Sequence, residues 1–169
     1  MKGHTMTSQI DRIEKTIVLN SALERVWCAI SEARQFSAWM GLTNHSEFVP
    51  GALFTAKMAP TKFNAEFAKL QEPFDGLQVK MTIDQIQRPR LFSFRFHPFA
   101  VDPDADYSRE PMNLVMFTLQ EVPDGTMVTI TETGFDRIPL ERRAMVYEAN
   151  DRGWALATKA LESYLAATR

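Results

Sequence analysis

Cysteine is nearly missing from this sequence, and the gap has consequences. A single cysteine, Cys28, excludes any internal disulfide and fits a reducing compartment. No stretch approaches the roughly 20 apolar residues of a membrane helix, so membrane insertion is not expected. Charge of one sign is missing too. Lys and Arg number 19 against 21 Asp and Glu, a net charge of −2, which disfavours a strongly basic nucleic-acid binder. The opening Met1-Lys2-Gly3-His4-Thr5-Met6-Thr7 has no apolar run after its lysine and does not read as a signal peptide, so a cytoplasmic location is expected.

The usual catalytic and cofactor signatures are absent as well. The three histidines, His4, His45 and His97, have no partners at helical ligand spacing, and Cys28 has no second thiol. No metal and no cofactor is therefore expected. Cys28 lies between Trp27 and Ala29 on a predicted helix and reads as buried and inert. No glycine-rich phosphate loop and no Gly-x-Ser-x-Gly elbow occurs.

What is present is an ordinary globular composition of 169 residues, 45% hydrophobic and 24% charged. That length implies one domain, read as residues 12–169 behind a flexible arm over 1–11. Arg12 to Leu19 is rich in β-branched residues and reads as a strand. Ser21 and Glu24 form a capping-box pattern, and Leu23, Val26, Trp27 and Ile30 share one face of the helix that follows. A second short helix is expected from Glu32 to Trp39, capped by Ser31 and stopped by Gly41.

The period then becomes two. His45–Val49 and Ala52–Met58 read as a hairpin around Pro50-Gly51. Phe63, Phe67 and Leu70 recur at helical spacing within Thr61–Glu72, a helical excursion closed by Pro73. Leu77–Gln87 and Leu91–His97 alternate as strands. Phe92, Phe94 and Phe96 share the inner face of the second, and Arg95 and His97 the outer. Phe99–Pro111 is a proline-rich, acidic loop. Leu114–Glu121 and Met127–Thr133 form a hairpin whose inward residues are Val115, Phe117, Leu119, Val128 and Ile130.

A long helix ends the chain. Pro139 suits its first position, and Leu140, Tyr147, Trp154, Leu161 and Leu165 form one stripe interrupted by Asn150. Gly153 in mid-helix implies close packing, or the backbone space that a neighbour requires. An antiparallel meander with one apolar face needs a lid, and this helix is the element large enough to supply it.

Several short motifs support a family resemblance. They are Ile17-Val18-Leu19-Asn20 with Glu24-Arg25-Val26-Trp27, the Trp39 that ends the second helix, and Phe48-Val49-Pro50-Gly51. Further on come Pro89-Arg90-Leu91-Phe92-Ser93-Phe94, Thr131-Glu132-Thr133-Gly134-Phe135, and Asn150 with Gly153-Trp154. In order and spacing, from about Ile13 to Leu165, the chain resembles the START-like (SRPBCC) superfamily, in the branch of proteins like the activator of Hsp90 ATPase homologue 1. The resemblance implies an α+β helix-grip fold: a curved antiparallel sheet of about six to seven strands wrapped around a long C-terminal helix, with two short helices after the first strand. Thr61–Glu72 and Phe99–Pro111 are longer than the family minimum.

That fold implies a space between sheet and helix. The residues expected to line it are Trp39, Phe54, Met81, Phe94, Phe96, Phe117, Glu132, Asn150 and Trp154. Glu132 shares the inward parity of Val128 and Ile130, and a carboxylate there must be hydrated, hydrogen-bonded or paired. It could meet a ligand, or tie structurally to Asn150, to Arg143 or to a backbone amide. Asn150 could orient a ligand or bridge helix to sheet, and Trp154 could be core or ligand platform. The leading expectation is a protein that binds a small hydrophobic or amphipathic molecule. The alternatives are a polyketide cyclase- or dehydratase-like enzyme using Glu132, and a chaperone partner of the Hsp90 type. The sequence leaves the oligomeric state open.

Overall fold

The computed structural model describes residues 11–168, so all but Asp11 of the arm read over 1–11, His4 included, lies outside the described residues. Six strands form one curved antiparallel sheet in the order β1-β6-β5-β4-β3-β2. They are β1 (Arg12–Leu19), β2 (Leu53–Lys57), β3 (Gln78–Gln87), β4 (Leu91–Phe96), β5 (Asn113–Val122) and β6 (Gly125–Thr133). Helices α1 (Leu23–Ser31) and α2 (Ala33–Met40) follow β1, α3 (Ala65–Gln71) separates β2 from β3, and α4 (Leu140–Ala167) ends the chain. This is the helix-grip arrangement that the resemblance implies.

Alternation builds the inner face. Val115, Phe117 and Leu119 of β5 and Val128, Ile130 and Glu132 of β6 are all buried. They meet Trp27 and Ile30 of α1, Phe36 and Trp39 of α2, and Trp154, Leu161 and Leu165 of α4 in one continuous core. Phe36 is its hub, with ring contacts to Trp39 at 5.1 Å, Phe48 at 5.5 Å, Phe92 at 5.8 Å and Phe117 at 6.1 Å. All four are edge-to-face, the geometry that ring quadrupoles favour. At the C-terminal end of α4, Arg25 donates to the Thr168 carbonyl at 2.9 Å and lies over the Tyr164 ring.

Several local expectations are corrected. The Ser21–Glu24 capping box does not form: Ala22 holds the cap position, and Glu24 pairs instead with Arg88. Ser31 does not cap α2 either, since its hydroxyl donates back to the Trp27 carbonyl at 2.8 Å. Gly41 does end α2, in the left-handed conformation, where a β-carbon would meet the buried Gln71 amide at 2.8 Å.

His45–Val49 does not pair with the strand after it. The turn at Pro50-Gly51 forms, but β2 pairs with β3, Phe54 opposite Met81. The far edge of β2 is taken by Thr43, whose amide donates to the Lys57 carbonyl at 3.0 Å and whose hydroxyl accepts from the Lys57 amide at 3.1 Å. Freed from the ladder, Phe48 turns inward and stacks on Phe92 at 5.0 Å.

On α4, Pro139 is the cap and not the first helical residue, and Leu140 is 75% exposed, so the apolar stripe begins a turn or more later. The close packing expected at Gly153 is absent: a β-carbon there would meet no atom within 4 Å. With no clash to offset the helix propensity of alanine, Gly153→Ala is expected to raise stability by up to about 1 kcal/mol, and the melting temperature by about 2–4 °C. A thermal melt that moves down would show that a neighbour occupies that space.

Candidate functional site

Glu132 is fully buried, the one charged side chain in the core among the described residues. Strand register sets it between Ile13 of β1 and Val115 of β5. Arg143 is spent elsewhere, on the Asp136 carbonyl at 2.9 Å and the Ile138 carbonyl at 3.0 Å, so the expected Arg143 tie is not made. Three N–H donors surround the carboxylate instead. Trp154 donates from Nε1 to Oε1 at 2.7 Å, Asn113 from Nδ2 to Oε2 at 2.8 Å, and Asn150 from Nδ2 to Oε1 at 3.0 Å and Oε2 at 2.9 Å.

Burial pushes the Glu132 carboxyl above its usual range, while these three donors pull the other way. Desolvation wins because dipoles alone, with no cation beside them, replace only part of the lost hydration. Asn113 is equally buried, and its Oδ1 has no hydrogen-bond partner among the described residues. Gly134, at φ 114°, leaves room for that amide: a β-carbon there would lie 2.5 Å from Asn113 Oδ1. Asn113 was not read from the sequence. The available signal was parity, since Asn113 precedes Val115, Phe117 and Leu119 at steps of two.

The other expected lining residues divide in two. Trp39, Phe54, Met81, Phe94 and Phe117 are buried within the aromatic core, and Phe117 reaches the Trp154 ring at 5.8 Å. Phe96 is half-buried, 5.8 Å from Phe94. Arg95 is exposed as expected, but His97 is half-buried, its Nδ1 is without a partner among the described residues, and burial lowers its pKa. Cys28 is half-buried and not buried, and desolvation together with Glu32 pushes its thiol up, away from a reactive thiolate.

One stripe of α4 runs Arg142, Val146, Ala149, Gly153, Ala157, Ala160 and Tyr164, at steps of three and four. Val146, Ala157, Ala160 and Tyr164 are buried, whereas Ala149 and Gly153 are only half-buried. Two long loops frame the stripe. The 97–111 loop is fixed at its upper end by Arg142, which donates to both Glu110 oxygens at 2.9 and 3.2 Å and to the Pro98 carbonyl at 3.3 Å. The excursion that carries α3 reaches the lower end through Phe63 on Tyr164 at 5.1 Å. Phe74 and Phe99 join the two loops at 6.0 Å. Gly153 lies eleven residues from each anchor, about 16 Å along the helix. Asn150, three residues before Gly153 and so its neighbour on the helix surface, is half-buried there, while its amide nitrogen reaches Glu132. A separate, open concavity lies outside the molecule, lined by Val18, Asn20–Ala22 and Pro123–Gly125. None of the expected lining residues borders it.

Among the described residues no helix is long and apolar enough to cross a membrane, and no cluster of three potential metal ligands occurs. The family model described as activator of Hsp90 ATPase homolog 1-like protein matches residues 20–166. No curated protein matches the sequence. Solved structures do. Protein MLL2253 from Mesorhizobium loti is 21% identical with a TM-score of 0.67, covering 94% of this chain and 98% of its own. Protein BH1534 from Bacillus halodurans is 23% identical with a TM-score of 0.61, covering 91% and 96%. DynU16, a protein of the dynemicin biosynthetic locus, is 16% identical with a TM-score of 0.61, covering 92% of this chain but 47% of its own. At these identities the structural likeness carries the fold alone.

Truncating Glu132 separates the donors from their acceptor. Glu132→Ala strands the Trp154 and Asn113 N–H groups in the core and is expected to cost about 3 kcal/mol or more. Glu132→Gln is expected to cost less than about 1 kcal/mol, because Asn113 can turn its unpartnered Oδ1 toward the new amide. The pH dependence follows from the raised carboxyl. The folded protein holds this proton more tightly than the unfolded chain, so the wild-type contribution is greatest below the usual glutamate range and declines as pH rises from there toward the folded-state value. Denaturant titrations across that window should show the Gln protein gaining on wild type with rising pH; a flat difference would contradict the raised carboxyl.

Proposed function

Because the chain belongs to the activator of Hsp90 ATPase homolog 1-like family, we propose that it is a binding protein for a small hydrophobic or amphipathic molecule, held between the concave sheet and α4. The observation that carries this reading is the unfilled space at Gly153. It lies on a helix stripe whose other members are mostly buried, midway between the two anchored loops, and a methyl group there would touch nothing. Gly153 is half-buried, so this room is open to solvent, and a mostly apolar site with few polar anchors suits a small molecule.

In this reading the ligand enters between the 97–111 loop and the α3 excursion. Phe63, Phe74, Phe96 and Phe99, all half-buried, form its apolar rim. Phe117 and Trp154 contribute the floor. Asn150 is the polar anchor, and Glu132 stands behind it. The acid–base reading of Glu132 is weaker, because both of its oxygens are engaged by protein donors and the residue is fully buried. The chaperone-partner reading rests on the family description alone.

Anilinonaphthalene sulfonate, an apolar fluorescent anion, tests the location. It should bind the native protein with micromolar affinity, and Gly153→Trp, which fills the space, should weaken that binding about tenfold or more. A Gly153→Trp protein that melts like wild type and binds the probe equally well would place the site elsewhere.

A further inference from the structure

Trp154, Glu132 and Asn150 form a chain of fixed polarity. The indole nitrogen of Trp154 can only donate, and it donates to Glu132 Oε1 at 2.7 Å. That oxygen is therefore an acceptor whether or not the carboxyl carries a proton on its other oxygen. Asn150 approaches this oxygen at 3.0 Å and Oε2 at 2.9 Å; with the carboxyl ionised both are acceptors, and Asn150 presents its NH2 group to them, not its carbonyl. While Glu132 is ionised, the amide of Asn150 thus cannot turn over. Its Oδ1 accepts no hydrogen bond from any described residue, and the residue is half-buried beside the space that Gly153 leaves one turn on.

We propose that Asn150 Oδ1 is a specificity-determining acceptor, oriented by Glu132 and Trp154, so that the bound molecule is one presenting a hydroxyl or N–H donor on an apolar skeleton. This inference rests on the ligand-binding reading above and adds the polarity of the ligand to it. A carbonyl or ether at the same place would bring an acceptor against an acceptor and leave Asn150 Oδ1 unpaired when the ligand excludes water. Glu132 touches no ligand in this account. It is a positioning residue that acts through Asn150, and Gly153 supplies the room in which Oδ1 can be met.

Cyclododecanol and cyclododecanone share one carbon skeleton and one oxygen and differ in whether that oxygen can donate. Both are measured by displacement of anilinonaphthalene sulfonate from the full-length protein. The alcohol is expected to bind about tenfold more tightly than the ketone. Asn150→Ala, at a half-buried position, should bring the two within about twofold by weakening the alcohol alone. Glu132→Gln offers Asn150 both a donor and an acceptor, frees its amide to turn, and should reduce the preference similarly, with the turned amide able to donate to the ketone and tighten its binding. Equal binding of the two compounds by wild type overturns this inference and leaves the ligand reading standing, as does a preference that survives in Asn150→Ala. Displacement by neither compound overturns both.

Discussion

A carboxylate without a counter-ion among the described residues is the constraint around which this molecule is arranged. Glu132 sits near the end of β6, between β1 and β5, fully buried, and every described group that hydrogen-bonds to it is a neutral N–H donor. Ionised carboxylates are seldom buried this way, because the desolvation cost is large and partial dipoles recover it only when geometry is tight. The donors come from two layers: Asn113 from β5, Asn150 and Trp154 from α4. Satisfying one side chain therefore fixes where the long helix lies on the sheet, both along its axis and about it. Apolar contacts alone would tolerate a slide of the helix far better, since they are non-directional.

The consequences spread outward from that group. Asn113 must be buried beside it, and Gly134 must lack a side chain to admit the Asn113 amide. Trp154 must point its nitrogen inward, which turns its ring edge toward Phe117 and ties the network to the aromatic core around Phe36. Asn150 must give its amino group to Glu132, and what remains of it is a carbonyl oxygen at a half-buried place on the helix. A structural device that holds helix to sheet and, in the proposed reading, a polar anchor for a ligand are thus two ends of one hydrogen-bond chain. The same economy applies to the framing loops. Arg142 and Tyr164 anchor them at equal distances from Gly153, so the opening between them is bounded by the helix itself.

Much of this was legible from the residues. The alternation of β5 and β6 put Glu132 on the inner face, and the break that Asn150 makes in an apolar stripe marked a polar meeting point between helix and sheet. Asn113 obeys the same parity, but it falls at the junction of an irregular loop and a strand, where period-two reasoning has too few residues to act on. The pairing of His45–Val49 was misread for a related reason: alternation identifies a half-buried extended segment, not its partner, and here Thr43 takes the edge of β2 while Phe48 leaves for the core. The Ser21–Glu24 pattern fails as a cap because Glu24 has an alternative partner, Arg88, far away in sequence. Leu140 is exposed because it lies in the first turn of the helix, before the buried part begins at Val146. Gly153 implies a crowded backbone from its helix position alone, and the three-dimensional surroundings show open space instead.

The central claim is that Glu132 is a desolvated carboxyl held by the Trp154, Asn113 and Asn150 N–H groups. It is tested most directly by NMR titration of the side-chain carboxyl carbon of Glu132 together with the indole N–H of Trp154. The account predicts that the Glu132 carbon titrates above the range of the surface glutamates, that the Trp154 indole resonance moves in the same step, and that its proton is protected from exchange throughout. A Glu132 carbon that titrates with the surface glutamates, beside a Trp154 indole that neither responds nor resists exchange, would contradict it.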